Sequence, residues 1–422
     1  MHRRVAALLA PLNERSFRVL WLAQLTSETG DWAARLALSL LVFDRTGSPT
    51  ATTLVLAASF LPWLGAGQLL ASVADGRSRQ RVMVTCDVLH AAMFCLMTLP
   101  LALPAILGLV FLAGIASAPF SAARAALLPD VVSAPRYPAA VTLTGVTSDA
   151  TVLVASVVAG ALVAIVGAPV TLVLNAVTFI VSAALVRRVR SAAPANRDPV
   201  GRRLRHAAAF LCATPLLRRA VLLGTVPAAS AAAVEALVVV YADGHAAAAG
   251  GFAAVLPAAT MAVAPLLPAD GANERLLRAS AVLGFAGAAV TLACFLTLPA
   301  GSAIGALGFA GAGVLFAVLM PANTVVGRVL PGGLRASSFG LLMGVYMAGQ
   351  AAGAIGGGLL AERFGVRAAC AAAMLPALVA TAACWRPRDA RRAAVGVPAV
   401  SMSPVEPDAA APRASVGYAR GA

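Results

Sequence analysis

The sequence predicts an all-α membrane protein of the twelve-transmembrane-helix kind, built as two pseudo-symmetric six-helix bundles. Three observations predict it. Of 422 residues, 60% are hydrophobic and 12% charged, where a soluble domain carries roughly 25% charged residues. Mean hydropathy is +0.88. The apolar positions come in blocks of about 20 residues, the helix length that crosses a hydrocarbon core, and not in the alternating ten-residue segments of a barrel. The blocks also fall into two sets, 18–187 and 219–385, on either side of the polar stretch 188–218. Two near-equal halves imply an internal repeat.

Taken in order, residues 1–17 form a cytoplasmic arm. Its apolar patch is interrupted by Pro11, Asn13, Glu14 and Arg15, which argues against a cleaved signal. Apolar runs then mark spans at 18–43, 51–73, 81–100, 103–122, 138–166 and 168–187. After the central loop, 188–218, they resume at 219–241, 250–268, 277–298, 302–326, 337–360 and 366–385. Residues 386–422, rich in Pro, Ala and charge without apolar periodicity, read as a disordered cytoplasmic tail. Orientation follows from arginine, since the chain has no lysine. With the N-terminus inside, 28 of its 32 basic residues face the cytoplasm; Arg45, Arg363 and Arg367 face outward and Arg35 lies within a span. The positive-inside rule therefore places both termini in the cytoplasm of a cell-membrane protein.

Other classes are disfavoured. The net charge of +15 is spread over short inter-span segments and aromatic residues are only 5%, so nucleic acid is not the expected partner. Basic loops against anionic lipid explain the charge. Six scattered cysteines contain no CxxC pair and no nearby histidine set, so neither a metal nor a disulfide framework is expected. There is no GxxxxGK[ST] loop, and no nucleophile, base and metal constellation. Energy should come from an ion gradient, with no catalysis and no cofactor.

Local motifs sharpen this reading. The segment between the second and third spans reads "GQLLASVADGRSRQRVMVTCD", which resembles the loop signature of the major facilitator superfamily. Asp75 matches the family aspartate, Arg79 and Arg81 the basic cluster after it, and Asp87 is expected to pair with that cluster. Ala71 and Gly76 replace the usual glycine and first arginine. The stretches "GDWAARLALSLLVFDRTGSPT", "SAARAALLPDVV" and "NAVTFIVSAALV" are similar to a bacterial branch of macrolide and siderophore exporters. The resemblance implies transport of a small molecule by a monomer through alternation of the two bundles, with protons as coupling ion. The span-five exporter motif has a glycine followed by proline; Ala155 and Ser156 stand there instead.

The residues that could carry transport are the charges inside spans. At 100° per residue Glu28, Asp31 and Arg35 project within about 60° of one another, one charged stripe on the first helix. Lipid cannot solvate such a stripe, so it must face a hydrated cavity or partners within the protein. Either Asp31 or Glu28 loads a proton, or Asp31 and Arg35 are a permanent i,i+4 pair. A shift of 200 residues superimposes Arg35 on Glu235, and the two form a candidate gate pair across the halves. Asp149 is the acid of span five, with Thr147 beside it, and Gln350 is the polar residue of span eleven. Thr147 and Gln350 are cavity candidates or interhelical hydrogen-bond formers. His90 follows Asp87 by one turn and is an alternative proton relay. Gly349, Gly353 and Gly357 recur every four residues, as do Ser156, Gly160 and Ala164, and mark close helix contacts. The apolar surroundings suit efflux of an amphiphilic compound of drug, macrolide or siderophore type by a proton-coupled antiporter. A facilitator or importer of another solute, or a membrane sensor that moves nothing, are the competing expectations.

Overall fold

The computed structural model describes residues 8–64, 78–189, 208–267, 271–297, 305–330 and 335–385. Among them the protein is helical throughout. The first helices are α1 (Arg15–Thr46), α2 (Pro49–Phe60), α3 (Arg79–Leu96), α4 (Leu103–Val131), α5 (Tyr137–Val166) and α6 (Ala168–Val186). They are followed by α7 (Pro215–Ala236), α8 (Val238–Tyr241), α9 (Ala246–Val263), α10 (Asn273–Thr297) and α11 (Ala306–Ala317). The last are α12 (Leu319–Val329), α13 (Arg335–Phe364), α14 (Val366–Ala372) and α15 (Met374–Trp385).

Helix ends follow local chemistry. In "TGSPT", Gly47 at φ 60° ends α1 in the left-handed conformation and returns its N–H to Phe43 O. Ser48 then caps α2 by accepting from the Ala51 N–H, and Pro49 opens it. That is a stop and a start in three residues. Two other turns repeat each other: Gly167 joins α5 to α6 at φ 82°, ψ 163°, and Gly365 joins α13 to α14 at φ 83°, ψ 159°. Both values are costly for any residue with a Cβ.

Nine helical stretches among the described residues are long and apolar enough to cross a membrane. Outside this set, besides the four-residue α8, stand α1, α2 and α3, for identifiable reasons. The described α2 has 12 residues, while α1 carries Glu28, Asp31 and Arg35, and α3 carries Arg79, Arg81 and Asp87 in 18 residues. Several elements depart from the apolar runs. α4 extends to Val131, nine residues past the predicted end of its span, and accommodates Pro119 and Pro129. The runs at 219–241 and 366–385 are each interrupted, after Ala236 and after Ala372. Interior prolines and such breaks persist in membrane helices because neighbouring helices satisfy the freed backbone groups.

α1 packs on α5 and α6, and α3 lies between α4 and α6. α7 packs on α13 and α15, and α10 on α11 and α15. Residues early and late in the chain meet chiefly where α5 touches α9 and α2 touches α13. Small residues make those meetings close. A Cβ on Gly160 would lie 2.7 Å from Gly250 Cα, and one on Gly358 would overlap Thr53. Leu56, Ala57 and Phe60 of α2 form one buried cluster with Ala236, Ala351 and Ala354. The outer flanks of α5 and α6 expose Val154, Val157, Val158, Ile165 and Val177, as suits contact with acyl chains.

Candidate transport cavity

A cavity of about 320 Å³ opens among α1 to α6, and every residue lining it lies between Gln24 and Phe179. The charged stripe of α1 faces it, as the 100° periodicity requires. Asp31 and Arg35 form the i,i+4 ion pair at 3.7 Å, each side chain about 30% exposed, and the Arg35 guanidinium lies 4.6 Å from the Trp32 ring centroid. Glu28 is the hub of a wider network. It accepts from Gln24 Nε2 at 2.9 Å and from Ser148 Oγ at 2.7 Å, and pairs with Arg124 Nη1 of α4 at 3.3 Å. Gln24 also donates to Ser148, so α1, α4 and α5 are tied at one point. Charge-assisted bonds of this kind are short and directional.

Asp149 lines the same cavity one residue further along α5, exposed and outside this network. Asp87 and His90 lie in its α3 wall. Asp87 is fully buried and accepts from Ser182 Oγ of α6 at 2.8 Å. His90, also buried, directs Nδ1 at Cys86 O (2.7 Å) and Nε2 at Ala113 O (3.0 Å) and Ser117 Oγ (3.1 Å), and stacks on Phe179.

This corrects the expected pairing of Asp87 with the loop arginines. Arg79 bonds Ala126 O and Asp130 at the end of α4, while Arg81 is exposed. From Arg79 to Asp87 is about two helical turns, roughly 12 Å of rise, beyond the reach of either side chain. Asp75 lies outside the described residues.

The two polar cavity candidates do not line the cavity. Thr147 accepts from Trp21 Nε1 at 3.0 Å and donates to Leu143 O, and Gln350 is buried with Nε2 directed at Tyr346 O of its own helix. Glu235 is half-buried at the end of α7, and Arg35 acts on it electrostatically. No ion pair within 4 Å joins them, and the arginine's partner is Asp31. The glycine stripe of α13 runs along α7: Cβ atoms on Gly349 and Gly357 would meet Thr225 and Ala233, and one on Gly353 would overlap Ala229 O.

Sequence reasoning missed a contact on the far side. Glu362, near the end of α13, accepts from Ser48 Oγ at 2.9 Å and from the Thr50 N–H at 3.1 Å. A carboxylate from late in the chain thus caps the start of α2. An acid and its donors more than 300 positions apart carry no local signal that they will meet.

Solved structures with this architecture are membrane transporters. A bacterial homologue of the human lysosomal transporter Spinster, inward-facing and unoccupied, superposes with TM-score 0.70 at 16% identity, over 88% of this chain and 96% of its own. A nucleoside transporter gives 0.69 at 13%, over 87% and 98%. A bacterial homologue of the iron transporter ferroportin, inward-facing, gives 0.65 at 16%, over 88% and 99%. No curated protein sequence matches this one significantly. The fold is that of a multi-pass membrane transporter of the major facilitator type. More narrowly, the pattern of the transmembrane secretion effector family matches residues 6–403, and the chain belongs to that family.

Proposed function

We propose that the protein is a secondary active exporter of amphiphilic small molecules, driven by protons and working by alternating access. The observation that carries this is the cavity: a charged stripe on α1 and the rings of Trp63, Phe94, Phe120 and Phe179 line one space. Such a space solvates a polar head and receives an apolar body. Six-helix bundles formed by 18–187 and 219–385 rock against each other and so change the access to this cavity of the first bundle, with both termini in the cytoplasm and the basic loops against the inner leaflet. The family's description as a secretion effector favours export.

The end of α1 near Gly47 is sealed. Leu40 is buried in a cluster otherwise drawn from residues 231–377, Phe43 packs against that cluster, and Glu362 holds α2. With the N-terminus inside, this is the external face, so the conformation is closed outward. Glu28, Asp31 and Asp149 reach the cavity and are the candidate proton acceptors. Arg35 exchanges Asp31 for Glu235 as the gate changes state. Charge-swapped Arg35→Glu with Glu235→Arg should recover activity lost in either single variant, and no recovery would count against the gate.

The decisive experiment is reconstitution in proteoliposomes with an imposed pH gradient and a panel of amphiphiles, comparing wild type with Asp31→Asn. Gradient-driven flux that the substitution weakens is expected. Flux indifferent to the gradient removes the antiport reading, and binding without flux favours a sensor.

A further inference from the structure

We propose that Asp87 is the residue on which the coupling proton rides: its carboxyl is protonated in the outward-closed conformation and gives the proton to cavity water when the α3–α6 wall becomes wet. The proposal rests on the proton-coupled reading above and adds a buried carrier to the exposed acids named there.

Asp87 differs from every other acid of the cavity. Its side chain is fully buried although it borders the cavity. One oxygen, Oδ2, accepts a single hydrogen bond from Ser182, and Oδ1 has no hydrogen-bond partner. Among the described residues no cation lies within 4 Å of it. An ionised carboxylate placed so deep with one hydroxyl donor costs several kcal/mol, whereas the neutral acid avoids that cost. Glu28 and Asp31 already hold Arg124 and Arg35 in partly exposed pairs, and Asp149 is exposed at the cavity. None of the three combines full burial with the lack of a cation, as Asp87 does.

The neighbours of Asp87 leave this state intact. On α3 itself the titratable groups within one turn of Asp87 are Cys86 and His90, with Arg79, Arg81 and Cys95 further off; the histidine ring is engaged by Cys86 O, Ala113 O and Ser117. α6 presents Ser182 and has no ionisable residue between Ala168 and Val186. α4 presents Ser117 and, toward its far end, Arg124; across the cavity α1 presents Glu28, Asp31 and Arg35. In discharge the carboxyl O–H breaks, the proton passes to water and Asp87 is left as a carboxylate. Loading is the reverse from the opposite side.

Two measurements on the full chain test this without knowledge of the substrate. In lipid nanodiscs near neutral pH, infrared spectra of the wild type should contain a protonated-carboxyl band that Asp87→Asn removes, Asp149→Asn leaves, and Ser182→Ala shifts. A band that survives Asp87→Asn overturns the proposal; should that variant not fold, a band unmoved by Ser182→Ala does so. For coupling, spin labels at Arg45→Cys and Arg363→Cys, with Cys95→Ser and Cys212→Ser, report opening of the sealed end. The label separation should change as pH rises in the wild-type background and stay constant with Asp87→Asn. A pH response retained in Asp87→Asn assigns coupling elsewhere. Failure of gradient-driven flux in wild-type proteoliposomes, with both of these results intact, would defeat the export reading and leave Asp87 as a proton site.

Discussion

Helices α1 to α6 enclose charge and a cavity, whereas α7 to α15 enclose rings. In the later helices Tyr241 meets Phe252, Phe295 and Phe309 edge-on at 5.2, 5.5 and 5.2 Å between centroids. The polar side chains buried there, such as Ser230, Ser280, Thr291 and Thr381, are neutral and return their hydrogen bonds to helix carbonyls where these are formed, as Thr291 does to Gly287 O and Gly308 O. The earlier helices bury Asp87 and His90 and open the cavity. Two segments of similar length thus differ in what they bury. The first places charged and titratable groups around an open cavity, and the second packs mostly neutral side chains and rings.

The largest predicted effect follows from this division. Phe309 is fully buried, and Phe309→Ala should lower stability by about 3–5 kcal/mol, the usual range for an aromatic deleted from a packed core. Phe94 borders the cavity, so the space left by Phe94→Ala joins one that already exists, and the loss should be less than half as large. Thermal melts of the two variants in the same detergent decide this; equal losses would mean that the two sets of helices do not differ in packing. Next in size is Glu28→Gln. It leaves Arg124 without its counter-charge and weakens the tie between α1, α4 and α5, a loss of about 1–3 kcal/mol. Glu235→Gln, where no ion pair is lost, should melt close to the wild type.

Much of this was legible in the sequence, for definite reasons. The span pattern was legible because apolar blocks of membrane length are a coarse signal that survives errors of several residues. The stripe of Glu28, Asp31 and Arg35 was legible because it depends only on helical periodicity. What failed depended on contacts between distant parts of the chain. Arg124 and Ser148, the partners of Glu28, are 96 and 120 positions away. Thr147 and Ser148 are neighbours, yet the 100° between them turns one toward Trp21 and the other toward the cavity. Asp87 was assigned to the arginines nearest in sequence, although α3 carries it inward to α6.

The smallest effect concerns how the charged half is tethered at its edge. Glu14, just before α1, accepts from the Ser133 hydroxyl at 2.7 Å, the Ser133 N–H at 3.1 Å and Arg136 Nη1 at 3.1 Å. The Ser133 hydroxyl is the first cause, and with the other donors it holds the Glu14 carboxyl below the usual carboxylate range against a small opposing effect of burial. A group whose folded value is depressed stabilises above its unfolded value and loses that contribution as pH falls through the folded one. Glu14→Gln should therefore lower the melting temperature slightly at neutral pH, by the equivalent of about 0.5 kcal/mol, in keeping with a partly exposed pair. The difference should vanish as the medium is acidified below the ordinary carboxylate range. A gap that persists at acid pH would mean that the tether acts through shape alone and that charge in this half matters only inside the cavity.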